Sequence, residues 1–271
     1  MTLAGTEQRN PVPTALRSPW PVFAVGVSVS WAGLVILHLN GREHAHGSGS
    51  LLHLSTTWAL MALAMMAPTA VPVLSSLLDI LRRRADQRWW GFLTGYLVVW
   101  AGFALVAATL QWWLLGLGLV DRHGQAGPRL SAAVLVVAGA YQFSNLKQRC
   151  LSECVSPMTF FLRHWREGTV GAVRMGLRHG ATCVGCCWAL MLLGFVGGLA
   201  SWWFMPLATA LMVVEKLPRL GRRVTVPLGT VLLAAGVIVL LFVDARGHAH
   251  AGQFIDLGKE IPWISGPSTV S

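Results

Sequence analysis

The chain has 271 residues, of which 54% are hydrophobic and only 12% charged, and its mean hydropathy is +0.58. That balance excludes an ordinary soluble domain. The net charge of +10 does not mark a nucleic-acid partner, because the Lys and Arg residues sit in short stretches between apolar runs, as they do beside membrane spans.

Residues 1–19 are polar and carry Arg9 and Arg17; they read as a disordered cytoplasmic segment. Trp20–Leu39 is an uncharged run close to the roughly 20 residues a span requires. It is too long for the apolar core of a signal peptide, about 7–15 residues, so it reads as a retained first span. A polar loop, Asn40–Ser50, follows with His44 and His46. The second span lies within Leu51–Ile80 and carries Met61, Met65, Met66, Pro68 and Pro72. Each proline removes a backbone donor and clashes with the preceding turn, so a kink is expected. Gly91–Val120 is the third span. The fourth, Pro128–Leu146, opens on a proline suited to a first helical turn.

Residues 146–178 form the long inter-span segment. Pro157 is expected to end the helix that carries Cys150 and Cys154. Met158–Trp165 reads as a short amphipathic helix lying in the membrane interface, broken by Gly168. The fifth span is placed at His179–Leu199, continuing a helix begun near Gly171. Gly197, Gly198 and Ser201 turn it into a sixth, Trp202–Leu217, and Val224–Val243 is the seventh. Residues 244–271 form a polar tail with His248 and His250. The expected domain plan is one helical membrane domain, 20–243, with a cysteine-bearing core at 141–191.

Seven spans alternate the loops between two sides. Successive segments on the side of the N-terminus hold two, four, six and four Lys/Arg, sixteen of the 21 in the chain. An excess of Lys/Arg marks the cytoplasmic face. This puts the N-terminus inside and the C-terminus outside. All five cysteines then lie at or near the reducing side, whereas His44, His46, His248 and His250 are external.

The cysteines form a CxxxC pair, Cys150 and Cys154, and a CxxCC cluster, Cys183, Cys186 and Cys187. On a helix His179, Cys183 and Cys187 make one stripe, with Cys186 flanking it. Thiolates and an imidazole gathered in this way suit a soft metal, copper(I) first and zinc second. Thioethers of Met65 and Met66 and the two external His-x-His pairs are secondary candidates. Two other readings stay open. Cysteine also serves as a small packing residue between membrane helices, and two neighbouring dithiols could exchange disulfides as an oxidoreductase. Arg174 and Arg178 are expected to favour thiolate nearby. Glu215, in the sixth span, is read as a snorkelling or a functional carboxylate. Catalytic signatures such as GxSxG, HExxH or a P-loop are missing from the sequence.

The strings MALAMMAP, YQFSNLKQRCLSECVSP, FFLRHWR, RMGLRHGATCVGCCWALM and VVEKL resemble a bacterial family of integral membrane proteins described as predicted metal-binding, some of whose members are labelled copper chaperones. The resemblance spans about Leu60–Leu217 and is densest at Cys150, Cys154, His179, Cys183, Cys186, Cys187 and Trp188. It implies a multi-span helical fold that handles a metal ion, with a metallochaperone or another membrane protein as exchange partner.

The charge asymmetry predicts that a reporter fused after Ser271 will report the external face and one inserted near Asp86 the cytoplasm. The reverse result at either position in a fusion assay would overturn the assigned sides.

Overall fold

The structure, a computed structural model, describes residues 18–41, 50–81, 86–121, 124–198, 204–217 and 220–257. Among these residues every regular element is helical, and the only strand-like feature is an isolated bridge between Val120 and Ala126. The helices are α1 (Trp20–Gly41), α2 (Leu51–Thr69), α3 (Val71–Ile80), α4 (Gln87–Gly116), α5 (Pro128–Gln142), α6 (Asn145–Val155), α7 (Pro157–His164), α8 (Gly168–Leu192), α9 (Gly194–Gly197), α10 (Phe204–Glu215) and α11 (Gly221–Leu257).

Among the described residues five segments are long and apolar enough to cross a membrane: Trp20–Leu37, Leu51–Thr69, Gln87–Gly116, Gly168–Gly197 and Arg223–Val243. They match the first, second, third, fifth and seventh expected spans. The other two are shorter than expected. Helix α5 has 15 residues and α10 has 12, about 22 and 18 Å at 1.5 Å per residue, against the roughly 30 Å of a hydrocarbon core. Helix α5 stops early because the chain breaks at Phe143 and restarts at Ser144, whose hydroxyl accepts from the Lys147 amide at 3.1 Å. Ser at an N-cap stabilises such a restart.

The bundle is built outwards from α8. The most apolar 18-residue stretch within Gly168–Gly197 is 56% buried, against 6% for Trp20–Leu37, so α8 is central and α1 peripheral. Helix α4 lies between α8 and α2, α11 packs on α5, and α1 packs on α2. The α4–α8 crossing is a backbone contact. A Cβ at Gly176 would collide with the Phe92 carbonyl, one at Gly95 with the Val173 carbonyl, and one at Gly180 would come within 2.9 Å of Val99. Lipid is as apolar as leucine, so close packing of small residues is what draws membrane helices together.

The paired prolines act as expected. Pro68 closes α2 and Pro72 opens α3, with the break at Ala70. The Ala70 amide bonds to the carbonyls of Ala67 and Pro68. The carbonyl of Met66, one turn earlier, accepts instead from the Thr69 hydroxyl at 2.8 Å and from the Tyr96 hydroxyl at 3.0 Å. Deeper in the bundle the Trp58 indole donates to Gln111 at 2.7 Å, which satisfies two polar groups far from water.

Helix α7 forms where a short helix is expected and divides its apolar residues. Phe160 and Phe161 are buried, and they pack on each other, on Phe92 and on His179. Those two rings are taken up by α4 and α8, and α3 and α6 also pack on α7, whereas Met158, Leu162 and Trp165 stay exposed.

Gly176→Leu should push α8 off α4 and destabilise the protein by about 1–3 kcal/mol, the usual range for overpacking. Gly102→Leu, where a Cβ meets nothing within 4 Å, should be silent. Thermal unfolding of the two variants in detergent compares them directly.

Candidate metal centre

The break at Phe143 folds α6 back along α8, and α6 presents one face to it. Lys147, Cys150, Leu151 and Cys154 share that face at helical spacing. The Cys150 sulfur lies over Gly185, where a Cβ would come within 2.8 Å of it. One turn on, Thr182 donates to Glu153 at 3.3 Å. Cys154 Sγ then stands 3.9 Å from Cys186 Sγ. The glycine in the CVGCC string is thus the seat for the first cysteine of the other motif.

Three sulfurs converge. Those of Cys154, Cys183 and Cys186 lie within 4.8 Å of one another, with Cys183 and Cys186 buried and Cys154 half-buried. Cys186 also contacts the Cys183 carbonyl at 3.1 Å, as Cys187 does at 2.9 Å. Hydrogen bonding to Cys183 and then to Cys186, followed by burial, pushes the Cys154 thiol above its ordinary value. Burial, with Cys186 and Glu153 nearby, raises Cys150 as well. All five cysteines are free thiols.

Cys183 is the hub. Its sulfur is 3.4 Å from the Tyr96 hydroxyl and 3.1 Å from Lys216 Nζ, which also donates to Thr69 Oγ1 at 2.7 Å. The cation beside the thiols is therefore Lys216. Arg174 and Arg178, expected in that role, are exposed on the outer side of α8. Lys216 was missed because it follows Glu215 at the end of an apolar helix and reads as a snorkelling pair.

Glu215 does not snorkel. Its carboxylate is buried and takes both bonds from Lys147 Nζ, at 2.8 and 3.1 Å, with Lys147 itself 0% exposed. Two lysines counted as loop charges, Lys147 and Lys216, thus turn into the protein. Each ties the α10 end to a cysteine-bearing element: Lys147 from α6, and Lys216 to Cys183 of α8.

The remaining candidates divide. His179 is buried, but its ring stacks among Phe92, Tyr96 and Phe160, with centroids at 5.8, 6.0 and 5.1 Å, and its Nδ1 has no hydrogen-bond partner. It is not part of the three-sulfur group. Cys150 and Cys187 also lie outside that group. Cys187 Sγ instead meets Met66 Sδ at 3.6 Å, and Met65 is buried in the same core. His44 and His46 fall outside the described residues, as do the side chains of His248 and His250.

Three thiols fit a soft ion. A structural zinc site is closed by four ligands in a tetrahedron, and the group here supplies three sulfurs. Copper(I) accepts a set of two or three soft donors, and thiolates favour it. In sequence comparison, the PpoB2 family model, described as copper chaperone, matches residues 55–239. No curated protein and no solved structure matches the chain.

The buried ion pair carries its own prediction. Removing one partner of a buried pair leaves an uncompensated charge and costs about 3–5 kcal/mol, whereas replacing both by apolar groups is often near neutral. Lys147→Met should therefore destabilise the protein strongly, and the Lys147→Met/Glu215→Leu double variant much less. Denaturant unfolding followed by tryptophan fluorescence compares the three forms.

Proposed function

The chain belongs to the copper chaperone family, and on that premise we propose that it binds copper(I) as cargo at Cys154, Cys183 and Cys186 and hands it on at the membrane. The carrying observation is the convergence of three sulfurs from two separate helices within 4.8 Å. Cys154 reaches the group from α6 and Cys183 and Cys186 from α8. Lys216 adds a positive charge next to a thiolate–copper(I) complex, whose net charge is negative. Tyr96 holds Cys183 from the opposite helix, so the sulfurs keep their places without a disulfide. Cys150 and His179 act as supports: the one fills the seat at Gly185, the other the aromatic cage beside Cys183.

The membrane assignment follows the same reading. The chain crosses the bacterial inner membrane seven times, α5 and α10 being the short spans, with its N-terminus in the cytoplasm. Taking Lys147 and Lys216 out of the count of sixteen leaves fourteen Lys/Arg on that side against five on the other, still a clear excess. The cysteine end therefore faces a reducing compartment that keeps thiols ready for exchange. A soluble metallochaperone or a membrane-bound enzyme needing copper is the kind of partner this role requires.

One observation favours a second reading. At 3.9 Å, Cys154 and Cys186 are near enough to become a disulfide after a small shift. That step would pass two electrons and two protons to an acceptor and make the protein a thiol–disulfide oxidoreductase. The two readings separate in one preparation. An oxidoreductase would form a trappable mixed disulfide and hold no stoichiometric copper.

Cys154→Ser, Cys183→Ser and Cys186→Ser should each lower copper(I) affinity by a factor of ten or more, while Cys150→Ser keeps it within a few fold. Thiols lose a proton on binding, so affinity should rise with pH and fall as the solution is acidified. Anaerobic competition against a chromophoric copper(I) chelator, repeated across pH, measures both. Equal affinity in wild type and all three variants would sink the assignment.

A further inference from the structure

The proposed three-thiol group leaves unused a second pair of sulfurs beside it. Met66, near the end of α2, and Cys187, on α8, meet sulfur to sulfur at 3.6 Å, and both are buried, at 0% and 2% exposure. The contact is not accidental packing of flexible ends. The backbone of Met66 is held by Tyr96, whose hydroxyl donates to its carbonyl and also touches Cys183 Sγ. Thr69, which donates to the same carbonyl, accepts from Lys216, and Lys216 in turn touches Cys183. Two independent bridges thus lock the α2 end to the thiol hub. The proline break at Ala70 allows this by turning Met66's carbonyl away from the regular helical ladder.

We propose that Met66 and Cys187 form a second station for the same cargo, a two-sulfur site that receives copper(I) from the Cys154–Cys183–Cys186 group. This rests on the three-thiol reading above and adds a route and a selectivity to it. Cys183 and Cys187 are one turn apart on one face of α8, so the stations are separated by about one helical pitch, 5.4 Å. A thioether is a neutral soft donor that serves copper(I) and offers little to zinc. Two sulfurs suit the linear preference of copper(I) and leave zinc two ligands short of its tetrahedron.

The charges balance. When the ion moves, Cys187 gives up its thiol proton and binds as thiolate, while a thiolate released in the first group takes up a proton. One cation goes forward, one proton comes back, and no net charge is added to the buried site. Gly176 and Gly180 bring this side of α8 directly onto α4, so Cys183 meets Tyr96 of α4 and Cys187 meets Met66 of α2.

The test uses the full chain in detergent micelles, with methionine methyl groups labelled with carbon-13 and the Met66 resonance assigned by its loss in Met66→Leu. Leucine is close to methionine in volume and suits the same core position. The probe is copper(I) itself, added anaerobically in equivalents, with zinc in parallel. The first equivalent should leave the Met66 methyl in place, and the second should shift it. Zinc should not. Cys187→Ser and Met66→Leu should each bind one equivalent instead of two, with the first bound as tightly as in wild type. Met65→Leu should still bind two. If wild type binds one equivalent and Met66 never shifts, this station does not exist and the three-thiol reading survives. If Met66 shifts with the first and only equivalent, the sulfurs belong to one site, and the proposal of a second station is overturned. If no copper binds at all, both readings fall.

Discussion

The close approach of α4 and α8 is the constraint on which the rest depends. Gly176 against Phe92 and Gly95 against Val173 bring two backbones together with no side chain between them, which is how helices gain packing energy where water supplies no hydrophobic drive. That contact sets the rotation of α8. With α8 so turned, Tyr96 reaches Cys183 and Met66 at once, His179 enters its cage of Phe92, Tyr96 and Phe160, and the face with Cys186 and Gly185 is left for α6.

The second layer of organisation is electrostatic. In a low-dielectric interior a lone charge is costly, and a pair persists only when both partners are well placed. Lys147 donates to both carboxylate oxygens of Glu215, and Lys216, one residue on, is left to face Cys183. The adjacent Glu-Lys dipeptide at the end of α10 therefore does two jobs, one for each cysteine-bearing helix. Because this ion pair ties α6 to the end of α10, the position of Cys154 is sensitive to a residue more than sixty positions away in sequence.

Much was legible in the residues themselves. The apolar runs located five membrane-length helices, Pro128 sat where a first helical turn wants it, and Pro157 ended the helix of Cys150 and Cys154. The requirement that the inter-span segment fold back, if the two cysteine sets were to meet, was also readable, since Cys150 and Cys154 lie beyond the end of their span. Less legible were α5 and α10, whose apolar runs are longer than the helices within them, and α7, whose phenylalanines serve the core as easily as a membrane surface. Periodicity reports that a face is apolar and is silent on what covers it.

Composition and local pattern by themselves determined that this is a helical chain with segments able to cross a membrane and two closely spaced cysteine motifs. Both follow from short-range physics: run length, helical spacing and proline geometry. Which sulfurs meet was decided only by the tertiary structure. Spacing along α8 placed His179, Cys183 and Cys187 on one stripe, with Cys186 flanking it. The fold instead joined Cys183 to Cys186 and to Cys154 from α6, sent Cys187 to Met66 of α2, and closed His179 among aromatic rings. A residue's helical face comes from its own segment, but its neighbours come from the rotation and depth of other helices. Those are set by the glycine contacts and the buried Lys147–Glu215 pair, which no local pattern encodes.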